Sequence, residues 1–162
     1  MKTFFEKHIW PIKGKLYRLT YLWVKDREVA QDILQTVFEK TLRNESDVCK
    51  LKNPVGWVVA SLKNESLQHH RGIKRMSGLG DLDLVDPGSP NEEVDPRIEQ
   101  VFRFVQSLPE MHREVFHLRE VEGLTYEEIG DYLDISLDQV KVSLFRARRK
   151  LRDLLLKETD ER

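Results

Sequence analysis

One cysteine, Cys49, is all the thiol chemistry in the 162 residues. It has no partner for an internal disulfide and no second thiol with which to build a metal site, so it reads as a small buried apolar residue. No apolar run reaches the roughly 18 to 20 residues needed to cross a bilayer, and the stretch Met1 to Lys7 lacks the apolar core of a signal peptide. These absences predict a cytoplasmic chain with no membrane insertion. A Ser-His-Asp set, a metal-spaced cluster and a phosphate-cradling glycine loop are also missing, which points away from an enzyme and from any cofactor or bound metal. An excess of one charge is lacking too: 27 Lys and Arg stand against 28 Asp and Glu, for a net charge of −1. A nucleic-acid surface must therefore come from segregation of charge along the chain.

What is present favours helices. The chain is 40% hydrophobic and 34% charged, an ordinary globular balance, and the strong helix formers Leu, Glu, Lys, Arg and Gln dominate it. The expected fold is all-α, with two small helical domains, 1–75 and 96–162, joined by a flexible acidic linker over 76–95. That linker holds Gly78, Gly80, Gly88, Pro87 and Pro90, and it carries Asp81, Asp83, Asp86, Glu92, Glu93 and Asp95 without one Lys or Arg. It fits a solvated tether, and it equally fits an acidic strand that occupies a basic channel in a partner. Each half is near the lower size limit at which a hydrophobic core alone sustains a fold.

In the N-terminal half, Phe4, Phe5, Ile9, Ile12, Leu16, Leu19, Tyr21, Leu22 and Trp23 recur at helical spacing, with Pro11 and Gly14 as bends near the start. Asp26 is a candidate N-cap. After it, Val29, Ala30, Ile33, Leu34, Val37, Phe38 and Leu42 form an apolar stripe that ends near Asn44. Asn53-Pro54 opens a third helix, whose apolar face is Val55, Val58, Val59 and Leu62 with Trp57. Its tail is basic: Lys63, Arg71, Lys74 and Arg75 are opposed by Glu65, with His69 and His70 expected to face DNA or solvent.

In the C-terminal half, Ile98, Val101, Phe102, Val105 and Leu108 mark one helix, and Pro109 seeds the next, which runs through Val115, Phe116, Leu118 and Val121 to Gly123. Thr125 and Glu128 then have the spacing of a capping box that opens a short helix with Ile129 and Leu133. Gly130 within it lets two backbones approach. Ser136 and Gln139 form a second capping box, opening a helix with Val140, Leu144 and Leu151 on its inner face. Two capped helices separated by a short turn are the pattern of a helix-turn-helix. Charge strengthens this reading. From Ser136 to Arg152 the second helix carries Lys141, Arg146, Arg148, Arg149, Lys150 and Arg152 against Asp138 alone, so it can neutralise phosphates while residues near its N-terminus reach base edges.

The segment Val140-Lys141-Val142-Ser143-Leu144-Phe145-Arg146-Ala147-Arg148 resembles the recognition-helix signature of the extracytoplasmic-function sigma factors of bacterial RNA polymerase, within the sigma-70 superfamily. Leu108 to Phe116 resembles the helix before that motif, and Tyr126-Glu127-Glu128-Ile129-Gly130 the start of the helix-turn-helix. Ala30 to Phe38 resembles the helix that grips the polymerase clamp, and Trp57 to Asn64 the helix facing the melted promoter. The resemblance covers nearly the whole chain in the right order.

It implies a factor that binds core RNA polymerase at the β′ clamp, recognises promoter DNA and is silenced by an anti-sigma factor. Asp32, Leu34, Gln35 and Phe38 would lie on or support the polymerase surface, although Phe38 also fits core packing. Asn64 would read a base of the single-stranded downstream (−10) element while Lys63, Arg71, Lys74 and Arg75 hold its backbone. Trp57 fits the core better than a base stack. Ser136, Gln139, Lys141, Val142, Phe145, Arg146 and Arg149 would meet the upstream (−35) element. There Arg146 and Lys141 can donate to guanine, and Val142 and Phe145 can meet thymine methyls. Four positions depart from the family pattern: Ser143 stands for a usual Arg, Asp138 for a frequent Gly, Asp134 for a turn Gly and Thr36 for an acid. The first two would weaken phosphate attraction. Rival readings are a stand-alone helix-turn-helix regulator binding an operator as a dimer, opposed by the clamp-like helix and the basic tail, and a sigma-mimicking interaction protein, opposed by Lys141 and Arg146.

Overall fold

A computed structural model describes residues 2–77 and 96–160, excepting the side chains at 74–77, 98 and 158–160. The chain divides into two compact units, Met1–Gly88 and Ser89–Arg162. Among the described residues every regular element is helical. The expected linker beyond Ser77 lies outside the described residues.

The first unit begins with α1 (Phe4–His8) and a 3₁₀ turn (Trp10–Ile12), followed by α2 (Lys13–Val24), α3 (Arg27–Arg43), α4 (Glu45–Val48) and α5 (Pro54–Ser77). Helix α2 stops where Lys25 enters the left-handed region at φ 56°, and its amide donates to the Tyr21 carbonyl at 2.8 Å. Asp26 then starts α3, its Oδ1 accepting from the amides of Glu28 at 3.0 Å and Val29 at 3.1 Å, which satisfies donors that have no partner within the helix. Helices α2, α3 and α5 pack on one another. Their core is Leu16, Leu19, Leu22 and Trp23 against Ala30, Ile33 and Val37 and against Val58, Val59 and Leu62.

Buried hydroxyls within this core bond back to the preceding turn, Thr20 to the Leu16 carbonyl at 2.8 Å and Thr41 to that of Val37 at 2.7 Å. None of this polar burial is left uncompensated. Helix α5 runs through Ser77, so helix persists two residues into the stretch expected as linker.

Cys49 is exposed, contrary to expectation. It lies just past the four-residue α4, and only Val48 of that segment is directed inward. Leu42, expected in the apolar stripe of α3, is 47% exposed. It lies near the end of α3 and lines, with Phe5 and Trp10, a cavity of about 470 Å³.

The second unit contains α6 (Pro96–Ser107), α7 (Glu110–Phe116), a π-helical turn (His117–Val121), α8 (Tyr126–Leu133) and α9 (Leu137–Asp160). Helices α7 and α8 both pack against α9, and Val115, Leu118, Ile129, Val140, Leu144 and Ala147 are buried between them. Phe104 of α6 meets Phe116 edge to face, with centroids 5.7 Å apart. The helix expected from Pro109 to Gly123 is present, but it widens at the π turn, where the Glu122 amide donates to the His117 carbonyl at 3.2 Å. Gly123 takes the left-handed position at φ 69°, and the next amide, Leu124, closes on the Leu118 carbonyl at 3.0 Å. In α6 the inward residues are Phe104 and Val105, with Leu108 buried just past its end, while Val101 and Phe102 of the expected stripe face out.

Candidate nucleic-acid interface

Both capping boxes form. The Glu128 amide donates to Thr125 Oγ1 and the Thr125 amide to Glu128 Oε1, each at 3.1 Å. At the start of α9 the Gln139 amide donates to Ser136 Oγ at 3.2 Å and the Ser136 amide to Gln139 Oε1 at 3.1 Å. Ser136 and Gln139 are thus exposed but already engaged with backbone. Between the helices Asp134 adopts φ 53°, and the Ile135 amide bonds the Gly130 carbonyl at 3.0 Å. A Cβ on Gly130 would sit 3.0 Å from the Ile135 carbonyl oxygen and 3.9 Å from Val140 Cγ2, so the small residue makes room for the backbone of the turn, and α9 meets it through a side chain.

The faces of α9 follow from its 3.6-residue period. Val140, Ser143, Leu144 and Ala147 are buried, while Lys141, Val142, Phe145, Arg146 and Arg149 lie together on the outside. Phe145 is 65% exposed, an unusual place for an aromatic ring unless a partner covers it. Ser143 is only 6% exposed, so its departure from the family's Arg alters packing beneath α9 rather than the outward charge. Arg148 turns away from this face to Glu120 on the π turn, with Nη2 2.7 Å from Oε1. That partnership links residues far apart in the chain, and no local pattern announces it.

Two titrating groups mark the surroundings. The His112 pKa is lowered by partial burial and then by the positive charges of Arg146 and Lys150. Burial, reinforced by the Glu128 and Glu122 charges, pushes the Tyr132 phenol up to about 12, so it stays protonated beneath the motif.

In the first unit, Asp32 and Gln35 are exposed on α3, Leu34 is half-buried and Phe38 is buried. Phe38 packs edge to face on Phe5 with centroids 5.1 Å apart, so it supports the surface from beneath. Gln35 Nε2 donates to Glu39 Oε1 at 3.3 Å. On α5, Asn64 and Arg71 are exposed and Lys63 is half-buried; Asn64 and Arg71, a heptad apart, share one face. The side chains of Lys74 and Arg75 lie outside the described residues. His70 does not simply face DNA or solvent, because its Nε2 is 2.9 Å from the Trp23 carbonyl oxygen. Trp57 is half-buried rather than fully in the core, and Lys40 Nζ lies 5.7 Å from its ring centroid.

A capped helical pair carrying an outward cationic and aromatic stripe makes this a helix-turn-helix protein of the DNA-binding kind. Comparison with known proteins narrows the class. Residues 98–151 match the family described as Sigma-70, region 4. The chain is 32% identical over 154 residues to the ECF RNA polymerase sigma factor SigE of Mycolicibacterium smegmatis, an alignment that covers 91% of this chain and 60% of that relative. It is 27% identical over 155 residues to the RNA polymerase sigma factor CarQ of Myxococcus xanthus, covering 93% of this chain and 86% of CarQ. Over 104 residues it is 45% identical to the ECF RNA polymerase sigma-E factor of Salmonella typhimurium, 64% of this chain and half of that protein.

The fold is similar to that of the sigma factor RpoE from Bartonella quintana, crystallised with the anti-sigma factor NepR. The TM-score is 0.67 at 19% identity, covering 93% of this chain and 96% of the other. Residues 98–151 thus carry the sigma-70 region 4 family, and over nearly its whole length the chain is similar to extracytoplasmic-function sigma factors.

Proposed function

We propose that this chain binds core RNA polymerase and directs it to promoters, without covalent chemistry of its own. The observation that carries the reading is the outward face of α9, where Lys141, Val142, Phe145, Arg146 and Arg149 stand together on a helix whose N-terminus is fixed by a complete capping box. Such a face suits the major groove of the upstream element: Arg146 and Lys141 donate to guanine, and Val142 and Phe145 pack on thymine methyls or sugars.

Residues 1–75 are proposed as the polymerase and −10 unit, 76–95 as the acidic connection and 96–162 as the −35 unit. Asp32 and Gln35, held over buried Phe38, form the contact to the β′ clamp, with Leu34 at its margin. Asn64 captures a base extruded on melting while Lys63, Arg71, Lys74 and Arg75 hold the strand's phosphates. Ser136 and Gln139 act mainly by fixing the helix start. The site of action is the cytoplasm, where polymerase and promoters are. The described residues include no helix long and apolar enough to cross a membrane. An anti-sigma factor is the proposed regulatory partner, on the precedent of the Bartonella protein.

In vitro transcription with core polymerase and a promoter library tests this. Arg146→Ala should lower initiation and reduce discrimination at its upstream base by about 1–3 kcal/mol. Gln35→Ala should weaken polymerase binding by about 1 kcal/mol and leave the DNA surface intact. Normal initiation by both variants contradicts the residue roles, and failure of the wild-type chain to redirect core enzyme to any promoter refutes the function.

A further inference from the structure

The cations of α9 between Ser136 and Arg152 form two sets. Lys141, Arg146, Arg149 and Arg152 are exposed and have no hydrogen bond or ion pair among the described residues. Arg148 and Lys150 turn back onto their own unit. Arg148 donates to Glu120 Oε1 from Nε at 2.9 Å and from Nη2 at 2.7 Å, and Lys150 Nζ donates to the Ser107 carbonyl at 3.0 Å. The π turn that supplies Glu120 is itself fastened to the start of α8. There Arg119 Nη1 donates to the Leu124 carbonyl at 2.8 Å, and its guanidinium lies 5.0 Å from the centroid of the Tyr126 ring.

The Glu120–Arg148 pair is poorly explained by stability alone. Its side chains are 39% and 50% exposed, and exposed ion pairs contribute only about 0–1 kcal/mol. Glu120, on the π turn, also places a negative charge against the helix that must approach DNA, which by Coulomb's law alone weakens binding. What the pair does supply is geometry. A planar guanidinium that donates from two nitrogens to one acceptor resists rotation of its helix more than a single-point lysine contact does.

We propose that Arg148 is a positioning residue for promoter recognition. Held by Glu120, it sets the rotation of α9 about its axis, so that the face carrying Lys141, Val142, Phe145 and Arg146 meets the groove, and it does not itself neutralise a phosphate. The inference rests on the reading of α9 as the duplex-binding helix.

Because electrostatics and positioning predict opposite signs for loss of Glu120, the two are separable. Holoenzyme made with the full chain would select a preferred upstream duplex from a randomised library, and its affinity for that duplex and for a scrambled one would be measured across salt concentrations. Glu120→Ala and Arg148→Ala should each lower the selected-to-scrambled ratio roughly five- to tenfold, and the double variant should lose no more than either single. The charge swap Glu120→Arg with Arg148→Glu should recover part of the ratio, and Arg148→Ala should keep the wild-type salt slope.

Tighter binding of both duplexes by Glu120→Ala, with a slope shallower by about 1 in Arg148→Ala, would make Arg148 a phosphate contact and overturn the proposal. If a single variant melts well below wild type, Glu120→Gln retains an acceptor oxygen without the charge. Its ratio should fall between those of wild type and Glu120→Ala, and an unchanged ratio counts against positioning. Unchanged ratios throughout, with a wild-type chain that does select, sink this inference alone. A wild-type chain that selects nothing removes the promoter reading and this one together.

Discussion

Ser143, Phe145 and Arg148 are close neighbours on α9, yet one is buried, one is largely in solvent and one is engaged with a distant carboxylate. Helical periodicity separates the first two, because Ser143 falls between the inward positions Val140 and Leu144. The third depends on how α9 lies across the π turn, and sequence spacing carries no such information.

His112 shows what this neighbourhood does to a titration. Its neutral form is favoured in the free protein, first by burial and then by Arg146 and Lys150. Its contribution to folding is therefore present above its ordinary value of 6.5 and lost as pH falls through the lowered folded value. Phosphates seated on Arg146 would offset that positive field and raise the His112 pKa, so duplex binding takes up protons. Binding of the upstream duplex should thus tighten between about pH 8 and about pH 6, even as the free unit loses stability. Anisotropy titrations should find the His112-dependent part of this slope gone in His112→Gln; an identical slope in that variant would remove His112 from the linkage.

At the scale of elements, legibility followed locality. The caps of α3, α8 and α9 lie within a few residues of the amides they satisfy, and each stands where Asp26, Thr125 and Ser136 placed it. The exposure of Cys49 and of Leu42, the π turn and the His70 contact to Trp23 were not legible, since each is decided by what packs against a segment rather than by the segment.

The turn between α8 and α9 offers a direct test. Asp134 occupies the left-handed region at φ 53°, which costs a residue with a Cβ roughly 1–2 kcal/mol. After the greater chain entropy that glycine loses on folding is subtracted, Asp134→Gly should raise stability by about 0.5–1 kcal/mol. That gain would appear in thermal melts as a higher Tm, and a lower Tm would contradict the strain argument. At Gly130 an added Cβ would press on the Ile135 backbone oxygen at 3.0 Å, a strain comparable to the helix propensity gained, about 1 kcal/mol, so Gly130→Ala should be near neutral. Gly130→Val should cost about 2–3 kcal/mol.

For the whole molecule, a net charge of −1 and the inward ties of Arg148 and Lys150 leave few cations to face a duplex. If Lys141, Arg146, Arg149 and Arg152 all contact phosphates, the salt dependence of duplex binding by the chain alone should have a log–log slope no steeper than about −4. A much steeper slope would mean that other basic residues take part.

Helix α9 ties two of its cations back to the scaffold, and this bears on how the protein moves through a genome. With a net charge of −1 and two of the recognition-helix cations tied inward, the chain should hold arbitrary duplex weakly, so random DNA should retain few copies of it. On the proposed function, most copies would then be free to meet polymerase in solution, and the search for a start site would begin after assembly rather than before it.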